Sequence, residues 1–106
     1  MIRITLIYRK SENAHFDFDY YVNRHVPMSR QLMSDCGLVS IEVEKVLRAL
    51  DGGPSNAICV THVDLVDEAC LKKALELHGA QMMADFGNYT DITPEIHVCQ
   101  VLTSGT

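Results

Sequence analysis

Several absences narrow what this chain of 106 residues can be. No stretch approaches the roughly 20 consecutive apolar residues of a membrane span. The opening Met1-Ile2-Arg3-Ile4-Thr5-Leu6-Ile7-Tyr8 is too short and too interrupted for a signal peptide, so no membrane partner is expected. Basic side chains are scarce, nine against fourteen acidic ones, and the formal charge of -5 gives no electrostatic basis for binding nucleic acid or an anionic bilayer. Cys36, Cys59, Cys70 and Cys99 lie far apart without a C-x-x-C pair, which argues against a disulfide framework and for reduced, mostly buried thiols in a cytoplasmic protein. The chain has no G-x-G-x-x-G, no phosphate loop with its lysine and no G-x-S-x-G elbow. Neither H-x-H nor H-x-x-x-H occurs, so His62 and His97 are read as polar strand residues; no metal and no cofactor is assigned.

What is present fits an ordinary globular domain, 47% hydrophobic and 22% charged, with room for one core over residues 1–106. Residues 2 to 9 alternate as a strand does. Asp17 is placed to cap a helix, with Phe16 and Tyr21 as a hydrophobic staple, and the helix is expected to run to about Asp35 with Gly37 behind it. Residues 38 to 49 and 57 to 65, joined through Asp51-Gly52-Gly53-Pro54-Ser55-Asn56, form the simplest antiparallel hairpin. Asp67 opens a second helix with Leu71, Leu75, His78 and Met82 on one face, which Gly79 is expected to end. Pro94 to Leu102 make the last strand.

The order strand, helix, strand, strand, helix, strand is the ferredoxin-like βαββαβ arrangement, an α+β fold with an antiparallel sheet. Right-handed crossovers put both helices on one face of it. The first and third strands are apolar almost without break (Ile4, Leu6, Ile7; Ile58, Cys59, Val60, Val63, Leu65), as when both faces are buried. A second copy of the chain is the economical cover, which predicts a homodimer with its sheets face to face.

The string Phe16-Asp17-x-x-Tyr20-Tyr21-x-x-x-His25-x-Pro27 resembles the signature of the EthD-like family, named after ethyl tert-butyl ether degradation, and Asn88-Tyr89-Thr90-Asp91 adds to the likeness. The resemblance covers most of the chain and implies a dimeric α+β barrel. It implies a catabolic or biosynthetic role of oxidoreductase-related, isomerase or accessory type, and it fixes the fold better than the reaction.

The chemistry is argued from the groups available. Phe18, Tyr21, His25 and Met28 recur at steps of three and four, so they share one helical face toward the sheet, and Pro27, just after His25, disrupts the helix at the Asn23 carbonyl. A mostly apolar pocket with one imidazole and one phenol suits a planar, weakly polar substrate such as a lactone, quinol or aromatic ketone. His25 is the candidate acid/base and Tyr21 the candidate donor to a developing enolate oxygen. Phe18, Tyr20, Met28 and Tyr89 are the candidate substrate-binding residues. The alternative for His25 is a core histidine satisfied by a backbone carbonyl.

Two functions of different kinds follow. One is a small cofactor-independent oxidoreductase or isomerase acting on a hydrophobic cyclic or aromatic intermediate. The other is a non-catalytic dimer that carries such a molecule for a separate oxygenase, with lactone isomerase or polyketide cyclase activity as a further variant of the first.

Overall fold

Alternation along the first strand sets the two faces of the sheet. In the computed structural model, which describes residues 1–105, β1 (Ile2–Arg9) buries Ile2, Ile4 and Tyr8 on one side and turns Arg3, Thr5 and Ile7 to the other. β2 (Leu38–Lys45) and β3 (Ala57–Leu65) form the expected hairpin. β4 (Glu95–Gln100) completes a sheet of order β2-β3-β1-β4 in which every neighbour is antiparallel. The first crossover holds α1 (Phe18–Tyr20), a π-helical turn (Tyr21–His25) and α2 (Val26–Met33). The second holds α3 (Glu68–Ala84) and a 3₁₀ turn (Phe86–Asn88). This is the ferredoxin-like α+β arrangement. Among the described residues no helix is long and apolar enough to cross a membrane.

The helix starts follow from their caps. The Asp17 carboxylate accepts from the Tyr20 backbone N–H at 3.0 Å, and the Phe16 ring packs 5.1 Å from that of Tyr21. Asp67 accepts from the Cys70 N–H at 2.9 Å. The helix ends differ from expectation. α2 stops at Met33 rather than Asp35, and Gly37 still takes the left-handed conformation (φ +70°) that turns the chain into β2. α3 does not end at Gly79 but continues to Ala84, because a glycine inside a helix costs only about 1 kcal/mol and the helix is packed on both sides of it. β4 occupies only the middle of the predicted span, and β2 ends at Lys45, with one further bond to β3 from the Val46 N–H to Ile58 O at 2.9 Å.

The two sheet faces differ more than the sequence pattern implied. The helix side carries Ile4, Leu6, Val63 and Leu65. On the far side Ile7 and Val60 stand among Arg3, Thr5, His62 and Asp64. The Arg3 guanidinium grips the Asp64 carboxylate through two bonds of 2.7 and 3.0 Å, and the hydrogen bond from Arg3 holds Asp64 below the usual carboxylate range. Thr5 meets His62 Nδ1 at 3.3 Å, His62 Nε2 meets Glu44 at 3.3 Å, and His97 pairs with Glu95 at 2.8 Å. His62 and His97 thus sit apart on this face, and among the described residues no three metal-binding side chains converge. All four cysteines are free; Cys36 and Cys59 are buried, Cys70 is half-buried and Cys99 is exposed.

Gly37 is the one backbone position where a side chain is doubly excluded, by its positive φ and by the Cys70 sulfur that a Cβ would strike. Gly37→Ala is expected to lower the unfolding free energy by about 1–3 kcal/mol in urea titrations. An unchanged midpoint would show that the α2–β2 turn relaxes freely.

Candidate active site

A proline ring in the middle of a regular helix collides with the carbonyl four residues back, here that of Asn23. The chain avoids the collision by widening the turn before it. The Val26 N–H reaches back to the Tyr21 carbonyl, and Pro27 then sits in the first turn of α2, where its missing N–H is harmless. One extra residue in a turn rotates everything downstream by about 100°. The inward face therefore reads Tyr21, His25, Val26, Ser29 and Met33 instead of Phe18, Tyr21, His25 and Met28. Met28 is half-buried and off that face.

These five residues line a cavity of about 270 Å³ between the first helical segment, α3 and the sheet. Its walls are hydrocarbon, including Leu6 and Val63 from the sheet and Leu71, Ala74 and Met82 from α3. The polar side chains on them are Tyr21, His25, Ser29 and Thr61. The volume lies at the small end of ligand pockets and suits a molecule of one or two rings.

His25 is held from behind. Its Nδ1 lies 2.9 Å from Asp85 Oδ2, with both side chains largely buried. The other Asp85 oxygen accepts from the Tyr20 hydroxyl at 2.6 Å and from Asn88 Nδ2 at 2.8 Å. Burial pushes the Asp85 carboxyl up, but the bonds from Tyr20, Asn88 and His25 outweigh it and hold the group below its ordinary range. An ionised Asp85 fixes the proton on Nδ1, which donates, and leaves Nε2 with its lone pair free. Nε2 has no hydrogen-bond partner, and among the described residues no buried side-chain polar atom is orphaned, so Nε2 is open to whatever enters. Burial lowers the His25 pKa and Asp85 offsets part of that, leaving a neutral imidazole at pH 7.

Aromatic rings set the imidazole plane. Tyr21 stacks on His25 with centroids 5.4 Å apart and planes 12° off parallel, Tyr89 lies at 4.7 Å and Phe86 at 5.6 Å. The Tyr21 hydroxyl pairs with Thr61 Oγ1 at 2.7 Å, and that of Tyr8 pairs with Tyr89 at 2.8 Å. Burial raises the pKa of all three tyrosines, so they remain protonated donors. The loop carrying Tyr89 is tied to the start of α1. Asp17 N–H donates to Tyr89 O at 2.7 Å, Thr90 Oγ1 donates to His15 O at 2.7 Å, and His15 N–H donates to Asp91 Oδ1 at 3.1 Å. The two segments that carry the family resemblance are thus bonded to each other.

Of the residues singled out in the sequence, Tyr21 and His25 come together on the cavity wall. Tyr89 is fully buried behind His25, and Tyr20 reaches Asp85 instead of the cavity. Phe18 packs on Phe16 at 4.7 Å with the Lys45 ammonium 5.1 Å over its ring. Asp85 and Thr61 were not foreseen. Nothing local connects Asp85 to a histidine sixty residues earlier, and after a helix it reads as a cap. Thr61 did leave a signal, as the one hydroxyl on the inward side of β3 among Cys59, Val63 and Leu65.

Fold and site together define a ferredoxin-like α+β protein with a histidine–carboxylate pair facing an apolar cavity. No family model and no curated protein matches the chain by sequence. Among solved structures it is similar to an EthD-like protein from Ralstonia eutropha JMP134, with 28% identity over 99% of this chain and 95% of that one and a TM-score of 0.90. It is also similar to an ethyl tert-butyl ether degradation (EthD) family protein from Bacillus halodurans C-125, with 20% identity over 96% and 99% and a TM-score of 0.68. The cofactor-independent oxygenase SnoaB from Streptomyces nogalater shares the fold at 12% identity over 97% and 94%, with a TM-score of 0.66. The likeness to EthD-like proteins is the one that the string from Phe16 to Pro27 implied.

The folded His25 pKa lies below the ordinary 6.5, so the unfolded chain takes up that proton first. The stability this group contributes is complete above pH 6.5 and declines as pH falls through it. In Asp85→Asn the carboxylate that favours the imidazolium is gone, so the His25 pKa is expected to fall further in an imidazole NMR titration. A rise would show that Asp85 is not ionised in the folded protein.

Proposed function

We propose that the protein is a cofactor-independent acid/base enzyme acting on a small hydrophobic cyclic or aromatic carbonyl compound held in the cavity. The observation that carries this is the Asp85–His25 pair, which presents an unpartnered Nε2 lone pair at the wall of a mostly apolar chamber. Nε2 takes a proton from the carbon next to the carbonyl. With the Cys59 thiol donating to Thr61 Oγ1 at 3.9 Å, the Tyr21–Thr61 pair uses one of its two hydroxyl hydrogens in its own bond and has the other for the developing enolate oxygen. Return of the proton to another carbon gives isomerisation, attack of the enolate carbon on a second carbonyl gives cyclisation, and reaction of the enolate with dioxygen gives oxidation. The likeness to SnoaB supports a scheme without cofactor. The sparse polar groups of the cavity also suit the second role, a carrier that binds such a molecule for a separate oxygenase.

A bicyclic ketone tests the chemistry. Hydrogen exchange at the carbon next to the carbonyl of α-tetralone, followed by NMR in deuterium oxide, is expected to be accelerated by the protein and to lose about 10²-fold or more in His25→Ala, with the circular dichroism spectrum retained. Binding of α-tetralone without exchange would favour the carrier. Loss of the folded spectrum in His25→Ala would make the histidine structural.

We further propose that two copies associate through the open sheet face. Ile7 and Val60 form a short aliphatic patch there, flanked by charges of both signs, including Arg3, Asp64, Glu44 and Glu95. Such a face can complement itself about a two-fold axis. Sedimentation is expected to give a dimer for the native chain and a monomer for Val60→Asp; a native monomer at micromolar concentration would sink this assembly.

A further inference from the structure

Gly79 lies in the middle of α3, is buried and lines the cavity. A glycine there weakens the helix relative to alanine by about 1 kcal/mol. No crowding demands it: a Cβ at this position would meet nothing but Leu75, at 3.7 Å, an ordinary contact. Its φ is not in the left-handed range either. What its missing side chain leaves open is the cavity itself.

The place of that opening matters. Toward one end of α3, Phe86 packs on His25, close to Tyr21 and Thr61. Toward the other, Leu71 packs in an all-hydrocarbon cluster with Ile2, Ile4 and Leu65. Thr61 and Leu65 both line the cavity and lie four residues apart on β3, so the chamber runs about 13 Å along the strand at about 3.3 Å per residue. Tyr21, His25 and Thr61 belong to one end and the aliphatic wall of Ile4, Leu65 and Leu71 to the other, with Gly79 on the helix between them.

We propose that Gly79 is a specificity-determining position that keeps the waist of the cavity open, so that the site takes an amphiphile: a polar ring at His25 with an aliphatic chain passing Gly79 toward Leu65 and Leu71. This rests on the reading of His25 as the polar end of the ligand site, and it adds the alkyl substituent. Chain burial alone supplies the selectivity, since each methylene moved from water into such a trough improves binding roughly fourfold.

The test uses 4-alkylphenols from methyl to octyl, titrated calorimetrically. For the native protein, affinity is expected to climb about threefold to fourfold per methylene until the trough is full. In Gly79→Leu, whose side chain fills the waist, the climb is expected to vanish. Gly79→Ala, which fits without displacing a neighbour, is expected to shorten the climb and raise the midpoint. A native series without a slope, or an unchanged slope in both variants, overturns the role of Gly79 and leaves the His25 site standing. Failure of every phenol to bind overturns the ring-binding reading of the site together with this inference.

Discussion

A proline placed two residues after His25 cannot continue a regular helix without striking the Asn23 carbonyl, and the widened turn that resolves this conflict orients the whole site. It brings Ser29 and Met33 to the cavity, turns Met28 away, and leaves His25 at the start of a new helical phase with its ring edge toward Asp85. Single π-type turns inside helices recur at functional positions because they aim a side chain where an α-helix would not. In this protein the local loss of regularity and the placement of the imidazole are one event.

The ring would be mobile if only the turn held it. Tyr21 on one side, Tyr89 behind and Phe86 at the edge leave it little rotational freedom, and each tyrosine hydroxyl is bonded to another buried hydroxyl rather than stranded. A buried phenol without a partner would cost a few kcal/mol. Pairing Tyr8 with Tyr89 and Tyr21 with Thr61 lets a polar, shape-defining layer sit in the core without that penalty, so the hydrocarbon cavity has one firm polar wall.

The fold was largely legible because its signals are local. Asp17 and Asp67 precede their helices at the cap, β1 alternates, and the hairpin loop is rich in glycine, proline and aspartate. The partly missed elements are those where packing overrides local preference, such as Gly79 inside α3, or where one inserted residue changes the phase, as for Met28. His25 and Tyr21 were found because a proline and an aromatic run marked them. Asp85 was not, since the bond that gives it meaning joins residues 60 positions apart and no spacing rule spans that distance.

The edges of the sheet carry a consequence for behaviour at high concentration. β2 and β4 each leave a row of backbone donors and acceptors unpaired along the outer side, and β4 also shows Ile96 and Val98 to solvent. Exposed edges of this kind invite another chain to add a strand. β2 answers with Glu42, Glu44, Lys45 and a register shift between Leu38 and Ser40, and β4 with its short length and Glu95. These charges act as guards against fibril-like stacking, and neutralising them would expose the chain to it long before the interior was disturbed.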